Sequence, residues 1–430
     1  MRKSESDGIE ALISGWTTPE PTTYQGSDSV AFQRWFKFKE AFAPTLVQSI
    51  LDGLSKRPRR VLDCCAGSGT TGVVAQFSGI NSTLVEVNPF LADLIESKLA
   101  NYEGVELHLE LARILDRAAS QNVTLEALRA RLPPTFVEPG VGERWLFDRT
   151  VAKEIERLRL GIEASRKPLV RRLFRVALAS TLVGLSNVRV DGKGRRYRQN
   201  WQERSVQSSD VRDRFIEAST RMAQDIYRHS GRDFGAHRVI NGDSRLVLPT
   251  IPGPVDLVLF SPPYPNSFDY TDIYNIELWV LGYLRRPADN TDLRRRTVRS
   301  HVQVTWEAPN GTVRSPSLER TVKALQEKRE ELWDRRLPEM VQAYFEDMQS
   351  LLCGMQRCLS VDGTIAIVVG DSSYAQVHID SAKILTNIAE QLGWSLVSRR
   401  SARVMRASMQ HNRGAKALDE WLLLFRRSSN

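Results

Sequence analysis

Arg59-Arg60-Val61-Leu62-Asp63-Cys64-Cys65-Ala66-Gly67-Ser68-Gly69-Thr70-Thr71-Gly72 passes from a basic start through an apolar run into a glycine-rich turn. The run reads as a buried strand, the glycines as a tight turn, and residues 71–77 as the helix that the turn feeds. Ser82-Thr83-Leu84-Val85-Glu86 reads as a second short strand ending in an acid, and residues 90–101 as an amphipathic helix behind it. Together they make one βαβ unit, the building block of a parallel sheet.

The pattern repeats along the chain. Residues 238–241 and 255–260 are apolar runs bounded by breakers, Gly242-Asp243 after the first and Ser261-Pro262-Pro263-Tyr264 after the second. Apolar spacing predicts a helix over 337–359, a fifth strand over 363–370 and a helix over 381–392. Two closing strands, 395–399 and 420–425, flank a polar loop at 402–417. Alternating strands and helices predict an α/β fold: a doubly wound, mostly parallel, Rossmann-like sheet with an antiparallel edge and two insertions. The expected division is 1–103 (amino-terminal segment and first half of the core), 104–236 (mainly helical basic insertion), 237–264 (core strands with the second motif loop), 265–336 (basic lid insertion) and 337–430 (remaining core). Helices are expected at 152–163, 169–185 and 211–228. Both insertions are expected to leave from carboxyl ends of strands, where such sheets place ligands.

The 430 residues are 41% hydrophobic and 26% charged, which excludes a disordered tail protein and suits a chain with a sizeable core. No stretch of about 18 apolar residues occurs, and the first thirty residues lack the apolar run of a secretory signal, so a cytoplasmic, membrane-free protein is expected. The four cysteines and six scattered histidines have no zinc or disulfide spacing, and no metal is assigned. Net charge is +9, and it is clustered. Residues 165–206 hold eleven Lys or Arg against two acids, and residues 285–300 hold six Arg against two. Charge runs are usually solvated faces, but this clustering on a basic background points to a polyanion partner. Lys193, Arg195, Arg196 and Arg198, read as a glycine-containing loop, and Arg294, Arg295 and Arg296 are the candidate polyanion contacts.

Gly67-Ser68-Gly69-Thr70-Thr71-Gly72 fits G-x-G-x-x-G after a strand. Glu86 follows at the distance from which a carboxylate accepts both ribose hydroxyls of an adenosine cofactor. Asp63 is placed to accept from an ammonium or from the loop backbone and would repel a pyrophosphate, which favours a cationic amino-acid ligand over a dinucleotide. Asp243 can accept from the amine of adenine, or simply be a turn residue. Ser261-Pro262-Pro263-Tyr264 is the sharpest signal. An exocyclic amine on a base is a poor nucleophile because its lone pair is delocalised into the ring. The Ser261 hydroxyl and Pro262 carbonyl can take its two hydrogens, two prolines stiffen the loop, and the Tyr264 ring offers a stacking face for an extruded base. The aromatics of residues 266–275 either pack a lid or stack bases, and the apolar helix face that continues them favours packing.

These residues resemble the cofactor and catalytic motifs of the bacterial DNA amino-methyltransferases, which modify cytosine N4 or adenine N6. The resemblance covers residues 61–72, 86–89, Asp243 and 255–264, and extends to 36–46, similar to the segment beside the methionine part of the cofactor. It implies S-adenosyl-L-methionine as cofactor, held by Phe36, Lys39, Asp63, Ala66, Gly67, Ser68, Gly69, Thr70, Glu86, Val87, Asn88 and Asp243. It implies Ser261, Pro262, Pro263 and Tyr264 as the catalytic loop, double-stranded DNA as substrate, and room for a restriction or defence-system partner protein. The order, cofactor motif first, is one of the family's permuted arrangements. Two features depart from its pattern: the largest insertion precedes Asp243, and Cys64-Cys65 stands where Pro-Phe is common, so a stacking phenylalanine is missing from the cofactor pocket. A serine heading the loop accompanies cytosine N4 more often than adenine N6 in that family, so N4-methylcytosine is the expected product. Adenine N6, an RNA or protein methyltransferase of the same fold, and a nicotinamide-dependent oxidoreductase are the alternatives, in that order. The last gives the Ser261 to Tyr264 loop no role.

Overall fold

The computed structural model describes residues 22–191, 194–405 and 417–428. The strands are β1 (Arg60–Asp63), β2 (Asn81–Glu86), β3 (Val188–Asp191), β4 (Gly194–Tyr197), β5 (His237–Asn241), β6 (Val255–Phe260), β7 (Leu359–Gly370), β8 (Ser372–Tyr374), β9 (Val377–Ile379), β10 (Trp394–Met405) and β11 (Leu418–Arg427). Seven of them form one sheet in the order β10-β11-β7-β6-β1-β2-β5. The five from β7 to β5 run parallel, and β11 enters antiparallel between β7 and β10.

Side-chain alternation explains why these strands read as continuous apolar runs. Val61, Leu84, Leu257 and Leu259 pack into one core with the helices Thr70–Phe77, Pro89–Leu99 and Pro168–Leu185. Their neighbours Leu62, Val85, Val258 and Phe260 pack into a second core with the helices Leu337–Cys358 and Ser381–Gln391. Because both faces of the sheet are covered, consecutive positions along the middle of a central strand are apolar, as in Leu257-Val258-Leu259-Phe260 of β6. Each helix has its own local cause: Asn88 caps Pro89–Leu99 by accepting from the Phe90 and Leu91 N–H groups, with Pro89 at the first helical position. The result is the doubly wound, mostly parallel, Rossmann-like sheet that the sequence predicts, with its antiparallel edge.

The chain turns from β1 toward β2 and β5 on one side and returns through β6 and β7 on the other. The crevice at the carboxyl ends of β1 and β6 is therefore the switch point at which such sheets bind ligands.

Three expectations need correction. The insertion over 104–236 does not leave from a strand's carboxyl end: it follows the return helix Pro89–Leu99 and delivers the chain to the start of β5. It also holds two helices beyond those expected from the sequence, Leu107–Ala119 and Leu125–Arg131. Finally, none of Arg195, Arg196 and Arg198 lies in an open loop: the first two belong to β4, which pairs with β3 as an antiparallel hairpin with Arg189 opposite Arg196, and Arg198, just beyond β4, donates its N–H to the Asn187 carbonyl. Lys193 lies outside the described residues, as do positions 406–416 of the expected polar loop; Ala402 to Met405 belong to β10. Among the described residues no helix is long and apolar enough to cross a membrane.

Candidate active site

The first motif builds its turn from backbone hydrogen bonds and one buried acid. Gly67 and Gly69 have φ of +52° and +82°, values that side chains with a Cβ rarely adopt. A Cβ on Gly67 would also lie 2.8 Å from the Phe38 ring, so the turn needs glycine there on two counts. Glu86, at the end of β2, accepts from the Gly67 N–H through Oε2 and from the Asn88 N–H through Oε1, both at 2.8 Å. Its carboxyl is pushed up to about 7 by burial, against the pull of these two bonds. Lys98 is fully buried, donates to the Ser68 carbonyl at 2.7 Å, and burial pulls its ammonium down to about 7. Nothing in the sequence marked this lysine, which sits on an otherwise amphipathic helix.

Asp63 takes the second of its two expected roles. Its Oδ1 accepts from the Cys65 N–H at 3.0 Å and its Oδ2 from the Thr71 hydroxyl at 2.6 Å, and it does not face the cavity described below. Burial raises its carboxyl to about 7. It ties the strand end to the helix start and holds the turn from behind. Asp63→Ala strands two buried donors and is expected to cost roughly 2–5 kcal/mol of stability. Asp63→Asn, which can still pair with both, should fold and retain cofactor affinity. Thermal unfolding and calorimetry on the two variants separate this anchor from a direct ligand contact, which would lose affinity in both.

The second motif follows β6. Ser261, Pro262, Pro263 and Tyr264 open into the same cavity, of 530 Å³, as Lys39, Ala66, Gly67, Ser68, Thr70, Glu86, Val87, Asn88 and Asp243. The loop is braced by Tyr374, whose hydroxyl donates to the Pro265 carbonyl at 3.1 Å. Tyr264 donates to Glu420 at 2.7 Å, and its hydroxyl lies 3.4 Å from the Ser261 Oγ. Burial first, and then the Glu420 charge, hold the Tyr264 phenol well above its ordinary range.

Of the residues expected at the cofactor, Phe36 and Gly69, like Asp63, do not face the cavity. Phe36 is buried, edge-on to Phe90 at 4.8 Å. Two residues on, Phe38 faces the cavity and stacks on Tyr274 at 5.3 Å with 19° between the rings. These rings supply the aromatic wall that Cys64-Cys65 omits. Asp243 is half spoken for: it caps the short helix Ser244–Val247 and is gripped by Arg245, which also pairs with Asp347.

The expected DNA contacts divide as well. Arg195 pairs with Asp272 at 3.1 Å, Arg294 with the buried Asp269 at 2.6 Å, and Arg198 donates to the Val183 and Ser186 carbonyls at the end of the helix Pro168–Leu185. These three hold the structure together. Arg196 is exposed, Arg295 reaches Asp292 only at 3.9 Å, and Arg296 faces the cavity.

Sequence reasoning missed several cavity residues, notably Glu420, Arg403, Ser300 and His301. Glu420 and Arg403 come from the closing strand pair, where register sets them opposite each other. Tyr270 and Tyr274, from the aromatic segment after the second motif, also face the cavity; Tyr274 donates to Glu40 from within the wall.

No protein-family model matches the chain. Comparison with curated proteins finds the Type II methyltransferase M.AvaI of a Nostoc strain and of Anabaena variabilis, each 26% identical over 404 residues, covering 87% of this chain and 81% of the relative. The Type II methyltransferase M.BsoBI of Geobacillus stearothermophilus is 24% identical over 422 residues, covering 86% of this chain and 80% of its own. Among solved structures, an rRNA methyltransferase of Streptomyces viridochromogenes superposes at a TM-score of 0.28 with 12% identity, too low to bear on the argument. At 24–26% identity over most of its own length and of theirs, the chain is similar to these bacterial Type II methyltransferases.

Proposed function

We propose that the protein transfers a methyl group from S-adenosyl-L-methionine to an exocyclic amine of a base flipped out of double-stranded DNA, cytosine N4 in particular. The observation that carries this reading is the opening of the Gly67 turn, Glu86 and the Ser261 to Tyr264 loop into one cavity at the switch point of the sheet. The cavity suits the cofactor on its own terms. It offers glycine backbone that a ligand can approach closely, a buried carboxylate with lone pairs to spare for ribose hydroxyls, and the Phe38 and Tyr274 rings. When bound, S-adenosylmethionine supplies an electrophilic methyl group.

The remaining work belongs to the chain. Glu86 accepts from the ribose, and Val87 and Asn88 border the adenosine. The Ser261 hydroxyl and Pro262 carbonyl accept the amine hydrogens, localising its lone pair and aiming it, while the Tyr264 ring stacks against the base. Cytosine is favoured over adenine because serine heads the loop. The test is incubation with tritiated S-adenosylmethionine and, separately, DNA, RNA and protein acceptors. Label in DNA is expected; label confined to RNA or protein defeats the reading.

The DNA face follows from the hairpin. It is anchored beside the cavity by Lys39, which donates to the Val190 carbonyl at 2.8 Å, and by the Arg195–Asp272 pair. Arg198 and Arg204 are lowered from the usual guanidinium range, first by burial and then by repulsion from neighbouring arginines including Arg214. Such an accumulation of like charge suits a phosphate backbone. Arg196→Glu and Arg214→Glu, both at exposed positions, should weaken DNA binding and lower its log–log salt slope by roughly 0.9 for each phosphate no longer neutralised. Cofactor affinity should not move. An unchanged slope would leave the cluster a solvated face.

A further inference from the structure

The Ser261 hydroxyl presents a problem that the methyl-transfer reading does not solve. A hydroxyl both donates and accepts. If it donates to the target amine, it occupies the lone pair that must attack the methyl group; it assists only when its own proton points elsewhere.

Beyond Ser261 lies a chain of polar groups whose direction is fixed at its far end. Glu420 sits on β11, opposite Gly370 of β7 and Arg403 of β10, and is only 2% exposed. Arg403 donates to both of its oxygens, at 3.0 and 3.1 Å. A carboxylate so held can only accept, so at 2.7 Å the Tyr264 hydroxyl must be the donor. The one phenolic proton is then committed. Toward Ser261, 3.4 Å away, the Tyr264 oxygen has only lone pairs to offer. The Ser261 proton therefore goes to Tyr264, and its lone pairs are left facing the cavity. A contact of 3.4 Å is long for two hydroxyls, but such bonds commonly tighten once substrate fills the site.

We propose that Glu420, held by Arg403, is a positioning residue that polarises the Ser261–Tyr264–Glu420 chain and so makes the catalytic-loop hydroxyl an obligate acceptor for the target amine. This rests on the methyl-transfer reading of the same cavity. It also accounts for an acid at the head of the otherwise apolar segment Trp421-Leu422-Leu423-Leu424-Phe425 of β11.

Glu420→Gln tests it. The amide can donate to the Tyr264 oxygen and release the phenolic proton toward Ser261, reversing the chain with little change in shape. Turnover on DNA should fall at least tenfold, while the KM for DNA and the cofactor affinity stay within twofold. Tyr264→Phe, which removes the middle of the chain and keeps the ring, should lose turnover to a similar degree. Combining it with Glu420→Gln should add nothing, because the second change then has no hydroxyl to redirect. A merely structural Glu420 would instead raise KM or lower the melting temperature, and its loss would multiply with that of Tyr264→Phe; either result overturns the proposal. So does wild-type turnover in Glu420→Gln. Failure of the unaltered protein to methylate DNA would defeat the underlying reading itself, which separates the two.

Discussion

Ser261→Ala and Tyr264→Ala should each lower turnover by about a hundredfold or more while leaving S-adenosylmethionine affinity unchanged. The reason is geometric. Both residues open into the cavity from the loop after β6, while the turn that would carry the cofactor comes from β1 and β2. In the proposed reaction, Ser261→Ala removes an acceptor for the amine. The loss of one such preorganised group typically costs about 10²–10³ in rate. Tyr264→Ala removes both the stacking face and the link to Glu420. Calorimetry with the cofactor alone and single-turnover methylation of DNA distinguish this from collapse of the site, which would take both quantities down together.

Loss of Glu86 should be as severe at the other end of the cavity. Its carboxylate already holds the Gly67 and Asn88 N–H groups, so Glu86→Ala strands two backbone donors and removes the proposed acceptor for the ribose. Bonds to a charged group contribute about 1.5–3 kcal/mol each, which puts the loss of affinity at roughly a hundredfold or more. The pH dependence gives an independent signature. Burial raises the Glu86 carboxyl to about 7, so in the free protein it is protonated below that pH and ionised above it. Ribose hydroxyls favour the ionised form. Affinity should therefore be full above about pH 7 and fall by up to tenfold per unit below it. Adenosine, which has no group titrating near neutrality, is the suitable probe, and Glu86→Ala should abolish the slope. The sign for stability is opposite. A carboxyl raised in the folded state stabilises the protein at low pH and loses that contribution as pH rises through about 7. Asp63 and Glu277 are likewise raised to about 7 by burial, so their contribution should make the ligand-free melting temperature decline as pH rises from about 4 to about 7.

The sheet was legible because its strands are covered on both faces. Runs such as Leu257 to Phe260 therefore carry an unbroken apolar signal that ends sharply at a proline-containing loop. The two motif loops were legible for the same reason, since each stands at the end of such a run. What the sequence concealed depends on pairing at long range. Glu420 reads as an acid at the head of a strand, next to Asp419; its meaning comes from Tyr264, 156 residues away, and from the register that sets Arg403 beside it. Asp63 misled because an acid at a strand end looks alike whether it faces a ligand or the turn behind it, and only the Thr71 and Cys65 bonds decide. The β3–β4 hairpin was hidden by its own arginines, which read as a glycine-containing loop of phosphate contacts although Arg195 and Arg198 are tied down. The helix Leu107–Ala119 could have been found from its spacing, for Leu107, Ile114 and Ala118 fall on one buried face.

Nucleoside mass spectrometry on DNA from cells expressing the protein, with Ser261→Ala expressed in parallel, tests the central claim most directly. The account predicts N4-methylcytosine with the unaltered chain and none with the variant. N6-methyladenine in its place would move the target atom to adenine and keep the mechanism, whereas DNA carrying no methylated exocyclic amine would contradict the account.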